Sequence, residues 1–324
     1  MTAAQPATPA PIDPTLDLFA EIERLKRERK AVILAHYYQD PDIQDLADYL
    51  GDSLDLARKA QAEQDAEVIL FCGVHFMAET AKILNPQKTV LIPDMEAGCS
   101  LAEACPADKL RAWKASHPDH FVVTYINCTA ATKAESDIIC TSSNARKIID
   151  SVPADRPILF APDQNLGRWL MQETGRAMDL WPGSCMVHVT FSERKIIELK
   201  TRHPDAEFIA HPECEDHVLR HADFIGSTKK LLDHVATSAN KRFIVGTESG
   251  ILHTMQKAAP DKELIEAPVE SRGGCTACSE CPHMKLNTVE KVYLALRDMG
   301  PTIEMDEEMR RRAELPLLRM LEVS

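Results

Sequence analysis

The chain lacks an excess of positive charge, a long apolar run and a basic, apolar leader, and each absence removes a class of function. Its 324 residues carry 37 Lys and Arg against 50 Asp and Glu, a formal net charge of −13. Phosphate backbones and anionic lipid surfaces would be repelled by that balance, so neither nucleic acid nor membrane is an expected partner. No stretch approaches the roughly 20 apolar residues that a bilayer span needs. Residues 1–14 are rich in Ala and Pro without the charged and apolar regions of a signal peptide, and residues 1–19 read as a disordered lead. A cytoplasmic location is the expectation, and with it a compartment that keeps thiols reduced. Hydrophobic (44%) and charged (27%) fractions are those of a soluble globular protein of two or three compact units.

What is present is cysteine. Ten thiols in a reducing compartment are poor candidates for a disulfide framework, so some are expected to bind metal or react. Cys72 and Cys140 end apolar runs and read as buried small hydrophobes.

Short Val/Ile-rich runs alternate with helical patterns, the mark of an α/β protein with parallel sheets. The runs begin near Val32, Val68 and Val90, near Phe121, Ile138 and Ile158, and near Phe208, Phe224 and Phe243. Grouped in threes, first members lie 89 and 87 residues apart and third members 68 and 85. First runs end in polar tips: His36-Tyr37-Tyr38, Tyr125-Ile126-Asn127 and His211-Pro212-Glu213. Second runs lead into Cys140-Thr141-Ser142-Ser143 and Ile225-Gly226-Ser227-Thr228, with Cys72-Gly73-Val74-His75 a looser counterpart. The pattern predicts three copies of one α/β unit, over 20–114, 115–200 and 201–284. Residues 285–324 should form helices that pack back on the body, one over Thr288 to Arg297 and a charged segment interrupted by Pro316. A chance match of short apolar strands is the alternative. Polar tips at parallel-strand C-termini are where a site should gather.

Cys99, Cys185 and one of Cys275, Cys278 and Cys281 fall beyond the third run of each unit, so one thiolate per unit could converge on a shared centre. Three thiolates on a four-iron cluster would leave one iron open as a Lewis acid. Other readings of the last group remain. Its C-x2-C-x2-C-P spacing resembles part of a ferredoxin run, His283 could complete a zinc knuckle, and Cys275 with Cys278 could form a redox-responsive pair. Cys105 and Cys128 read as spectators.

Several ordered motifs resemble the quinolinate synthase family. They are Ile-Leu-Ala-His-Tyr-Tyr-Gln (33–39), Gly-Asp-Ser-Leu-Asp-Leu-Ala (51–57), Phe-Cys-Gly-Val-His-Phe-Met-Ala-Glu-Thr-Ala (71–81), Tyr-Ile-Asn-Cys (125–128), Ala-His-Pro-Glu-Cys (210–214) and Gly-Thr-Glu-Ser-Gly (246–250). The resemblance covers the chain from about residue 20 to the C-terminal helix. It implies three α/β/α domains about a pseudo-threefold axis with the active site at their common centre. It also implies condensation of iminoaspartate with dihydroxyacetone phosphate to quinolinate, phosphate and water, in NAD biosynthesis. The implied cofactor is an oxygen-sensitive [4Fe–4S] cluster on Cys99, Cys185 and Cys281, and an L-aspartate oxidase would supply the imine.

Carried over residue by residue, the resemblance makes Glu213 a general base and assigns His36, Tyr38 and Tyr125 to the reacting substrate. Ser53, Asn127, Ser142, His211, Ser227 and Thr228 would join them in holding carboxylate or phosphate. Taken singly, His36 and His211 would read as structural histidines, Ser142 and Ser227 as helix caps, and Glu213 as a solvated loop carboxylate. A cluster-dependent dehydratase of the aconitase type, or an iron–sulfur electron carrier, are the rival functions.

Overall fold

The computed structural model describes residues 11–270 and 279–324, so Cys275 and Cys278 lie outside the described residues. Among the described residues, twelve strands form three parallel sheets of four. The first holds β1 (Ala31–His36), β2 (Tyr49–Gly51), β3 (Val68–Cys72) and β4 (Thr89–Leu91). The second holds β5 (Phe121–Tyr125), β6 (Ile138–Cys140), β7 (Ile158–Ala161) and β8 (Asp179–Leu180). The third holds β9 (Glu207–Ala210), β10 (Phe224–Ile225), β11 (Arg242–Gly246) and β12 (Glu263–Glu266). Each sheet has the same order, second–first–third–fourth. The inner strands are apolar runs such as Val68-Ile69-Leu70-Phe71-Cys72, buried along their length because helices cover both faces.

Each unit therefore has four strands where the sequence showed three, and the first unit was grouped one strand out of step. The sequence reading passed over β2 and took β3 as a second strand. In true register, Val68 to Ile158 is 90 residues and Ile158 to Arg242 is 84, so the period is tighter than the sequence grouping gave. The counterpart of Cys140-Thr141-Ser142 is Gly51-Asp52-Ser53, not the segment after Cys72. A carboxylate marks the register in all three units. Asp48, Asp137 and Asp223, each just before a second strand, accept the backbone N–H of Ile33, Val122 and Phe208 on the first strand at 2.8, 2.7 and 2.8 Å.

The C-terminal helices differ in detail from expectation. Thr288 caps a helix at Val289–Asp298, which packs on the helix Leu18–Arg29. A last helix, Glu307–Val323, runs through Pro316 instead of stopping at it. Pro316 is buried, with Leu317 and Met320 on the side that packs toward β6 and the helix Ala130–Lys133. That burial offsets the missing backbone donor.

Candidate active site

In an open sheet of this order the chain reverses direction of winding between the first and third strands, and a crevice opens at their C-terminal ends. Pairing of first with third strands places Ala35, Thr124 and Ala210 opposite Cys72, Ala161 and Gly246. His36, Tyr125 and His211 thus occupy equivalent positions, as do Tyr38, Asn127 and Glu213 two residues on. Pairing of first with second strands makes Ser53, Ser142 and Thr228 equivalent, one residue after Asp52, Thr141 and Ser227.

All three crevices open into one cavity. It brings together His36, Tyr38, Ser53, Tyr125, Asn127, Ser142, His211, Glu213, Thr228, Cys99, Cys185 and Cys281. Ser227 is the exception among the residues singled out in the sequence. It is buried behind Thr228, where its hydroxyl caps the helix Thr228–Thr237 by accepting from Lys230 N. The described lining contains no Lys or Arg, so an anion there would meet hydroxyls and helix N-termini instead of fixed cations.

Hydrogen bonds define which atoms face the cavity. Nδ1 of His36 accepts Tyr38 N at 3.2 Å, and Nδ1 of His211 accepts Glu213 N at 3.3 Å, the same device in two units. Each ring is left with Nε2 as its donor; that of His211 lies 3.3 Å from Ser142 Oγ. Burial keeps both rings neutral, pushing His36 down to about 4 and His211 to about 3. Tyr125 Oη donates to Glu213 Oε1 at 2.6 Å, and His188 Nδ1 lies 3.0 Å from Oε2 without full hydrogen-bond alignment. Burial disfavours the Glu213 carboxylate. The neighbouring His188 ring and the bond from Tyr125 outweigh it and hold the carboxyl below the usual carboxylate range. Glu213 is therefore a buried, hydrogen-bonded anion rather than a solvated loop carboxylate.

The three cysteines follow the fourth strand of each sheet, not the third. Each opens a helical turn: Ser100–Ala104, His188–Thr190 and Met284–Leu286. A helix start exposes unpaired N–H groups, and here they favour sulfur as a thiolate. Those of Ala102 and Leu101 act on Cys99, His188 and Val187 on Cys185, and Met284 and His283 on Cys281. None is a tight cap, and burial dominates, pushing Cys99 up to about 12 and the other two above their usual value as well. Three half-buried thiols lining one cavity, with N–H groups at each sulfur, are a donor set that fits a metal–sulfur group. Cys185, His188 and Glu213 also have ligand atoms within 4.8 Å of one another, a group that could hold a metal ion. Cys105 and Cys128 are fully buried and do not line the cavity.

Sequence reasoning missed His188, Thr247 and Glu248. His188 Nε2 lies 2.9 Å from Thr247 Oγ1, and Thr247 Oγ1 lies 2.7 Å from Tyr38 Oη. Glu248 accepts the N–H groups of Cys281 at 3.1 Å and Gly250 at 2.7 Å, and burial raises it to about 7 against the pull of Lys285. Lys285 itself donates to Tyr38 O at 3.2 Å, tying the Cys281 loop to the Tyr38 tip. His188 stood three residues after Cys185, and Thr247 and Glu248 at the end of a strand. Those positions were visible; their convergence was not.

Fold and site define a three-unit α/β protein whose central cavity joins a carboxylate–imidazole–phenol group to three thiols. The family model described as quinolinate synthetase A protein matches residues 20–322. The chain is 62% identical to the quinolinate synthase of Nostoc sp. (strain PCC 7120) over 309 residues, 95% of this chain and 94% of the relative. It is 60% identical to that of Thermosynechococcus vestitus over 323 residues, 100% of this chain and 99% of the relative. To that of Chloroherpeton thalassium it is 61% identical over 309 residues, 95% of each. The chain belongs to the quinolinate synthase family.

Proposed function

We propose that this protein condenses iminoaspartate with dihydroxyacetone phosphate to quinolinate, releasing phosphate and water, as a cytoplasmic transferase of NAD biosynthesis. The observation that carries this reading is the convergence of one cysteine from each α/β unit on a cavity that also holds Glu213 and Tyr125. Cys99, Cys185 and Cys281 would hold a [4Fe–4S] cluster. With three thiolates it would leave one iron open to polarise a substrate oxygen, Lewis-acid chemistry without net electron transfer.

The chain's own residues account for the rest. Glu213 is ionised and sits within the cavity, so it is the group that can take a proton from carbon or nitrogen as the ring closes. Tyr125, hydrogen-bonded to Glu213, is a phenol whose proton is already directed at that carboxylate. His36 and His211 present neutral N–H donors, which can bind carboxylate without taking its proton. Ser53, Ser142 and Thr228 present hydroxyls near helix starts, with Asn127 as an amide beside them, to hold carboxylate and phosphate. Tyr38 positions the substrate from the first unit. Removal of bulk water from this cavity would protect an unstable imine, supplied by an L-aspartate oxidase, from hydrolysis.

The test is direct. Protein prepared without oxygen should carry about four irons per chain, with matching sulfide, and form quinolinate from the two substrates. Exposure to air should remove iron and activity together. A folded protein with a full iron complement and no quinolinate would overturn the reading and favour a dehydratase of the aconitase type.

A further inference from the structure

The three first-strand tips are braced in different ways, and the second lacks the brace that the other two share. In the first and third units an imidazole begins the tip and accepts the N–H two residues on, as described above for His36 and His211. A four-residue turn closes each of these tips, Gln39 N donating to His36 O and Cys214 N to His211 O, both at 3.0 Å. Pro212 stiffens the third tip further by fixing its own φ. The second tip begins with Tyr125, whose ring has no nitrogen to accept Asn127 N. It closes as a tighter turn, from Cys128 N to Ile126 O at 2.7 Å. Asn127 Oδ1 is buried without a hydrogen-bond partner among the described residues, so that oxygen does not anchor the tip either.

Lys133 holds it from behind. Eight residues after His36, Tyr125 and His211 stand Gln44, Lys133 and Leu219, each in the short helix that follows its tip: Pro41–Leu46, Ala130–Lys133 and Asp216–Leu219. Gln44 Nε2 donates to Tyr37 O at 3.0 Å and Gln39 O at 2.8 Å, the carbonyls on either side of Tyr38. Lys133 Nζ donates to Ile126 O at 3.0 Å and to Cys128 O, the equivalent carbonyls on either side of Asn127. Leu219 has no donor to offer, and in that unit Pro212 occupies the place of Tyr37 and Ile126. Two units thus share one device with different chemistry, an amide in the first and an ammonium in the second.

The ammonium stands where no imidazole helps. Lys133 is fully buried, with the face of the Phe76 ring 5.2 Å from Nζ and no carboxylate bonded to it among the described residues. Burial of an unpaired charge is unfavourable, so the two tip carbonyls are what satisfy it. Hydrogen bonds from a charged donor are also about twice as strong as neutral ones. Because the peptide group is planar, fixing both carbonyls fixes the backbone on each side of Asn127. We infer that Lys133 is a positioning residue for Asn127, clamping the carbonyls that flank it and so setting where its amide stands in the cavity. Lys133 does not line the cavity and acts through the tip it holds. The consequence for turnover rests on the proposed role of Asn127 in holding substrate; the clamp itself does not.

The experiment uses Lys133→Met, which keeps the length of the side chain and removes its donors, and Lys133→Gln, which installs the residue of the first unit. Hydrogen exchange read by mass spectrometry on the peptide covering 125–130 reports the tip without turnover. In Lys133→Met, exchange there should rise about 10-fold or more while β5 and β6 stay as in wild type, and Lys133→Gln should remain within about 3-fold of wild type. In the iron-loaded protein, Asn127→Ala identifies the substrate whose KM depends on the amide. Lys133→Met should raise that KM about 10-fold, with kcat changed less than about 3-fold, and should add nothing in the double variant with Asn127→Ala. Unchanged exchange at the tip overturns the inference, as does a rise spread over the whole second sheet. A KM effect that adds in full to that of Asn127→Ala, or that Lys133→Gln shares, also overturns it. Should Lys133→Met fail to fold, Lys133→Gln still decides, because loss of tip protection in that variant counts against the clamp and its retention supports it. An unchanged KM in Asn127→Ala would count against the reading of Asn127 as a substrate contact and leave the exchange result to judge the clamp.

Discussion

The two rims of the cavity were built in opposite ways. The cysteine rim uses one device three times: a thiol after the fourth strand, at the start of a helical turn, with the N–H groups two and three residues on favouring the sulfur. The rim of first-strand tips has the same register in each unit but different chemistry: His36 and Tyr38, Tyr125 and Asn127, His211 and Glu213. A group with three equivalent attachment points is served by three equivalent loops. Substrates without symmetry need a distinct donor, acceptor or base on each side.

The largest expected effect tests the equivalence of the thiol loops. Cys99→Ser, Cys185→Ser and Cys281→Ser should each lower iron per chain to background and bring turnover below detection, measured by iron and sulfide analysis beside the quinolinate assay. A single serine variant that retains full iron would break the threefold account of that rim. On the other rim the prediction is the reverse. Glu213→Gln should keep its iron and lose activity by about 10²–10⁴-fold, the usual worth of a positioned general base. Loss of iron in Glu213→Gln would instead tie that residue to the proposed metal group.

Buried histidines at the tips make a smaller, pH-dependent contribution. His36 titrates near 6.5 when unfolded and is pushed down to about 4 by burial in the fold. Between those values the unfolded chain binds the extra proton, so stability is full above pH 6.5 and lost progressively as pH falls to 4. The total is about 3 kcal/mol for one such group. Urea unfolding of metal-free protein at pH 7.5 and pH 5 should show this loss. His36→Asn, which can still accept Tyr38 N, should make the profile shallower and leave the share that His211 carries. An unchanged pH profile in that variant would mean that His36 does not carry the effect.

Much of this was legible in the residues, and the omissions have physical causes. Inner strands announce themselves because both faces are buried and the run is wholly apolar. Three of the six edge strands, β2, β8 and β12, do not: β8 is two residues, Asp179–Leu180, and β12 has exposed Glu263 and Glu266 at its ends. Yet a signal for β2 was present. Asp48-Tyr-Leu-Gly-Asp-Ser53, Asp137-Ile-Ile-Cys-Thr-Ser142 and Asp223-Phe-Ile-Gly-Ser-Thr228 share an acid, two apolar residues and a hydroxyl five positions after the acid. The acid binds the neighbouring strand and the hydroxyl faces the cavity, so the pattern has a mechanism in every unit. His188 and Thr247 carried no such pattern. Their significance lies in one contact between segments 59 residues apart, which no local spacing encodes.

That shared pattern also separates two adjacent hydroxyls that the sequence had paired. Thr228 lines the cavity with Ser53 and Ser142, while Ser227 shares the capping position of Asp52 and Thr141 but, unlike those two, does not line the cavity. Asp52 and Ser227 are further joined through Ser143, whose Oγ lies 2.6 Å from Asp52 Oδ2 and 2.8 Å from Ser227 Oγ, so the capping position also fastens the three units together. Ser227→Ala should therefore cost about 1 kcal/mol of stability by loss of a cap, with KM for dihydroxyacetone phosphate nearly unchanged. Thr228→Val should do the opposite, raising KM about 10-fold, as for a lost hydrogen bond to a charged group, at little cost to the melting temperature. Both hydroxyls were expected to hold substrate. If Ser227→Ala raises KM as much as Thr228→Val, register does not sort cap from ligand, and the equivalence of the three units ends at the strands.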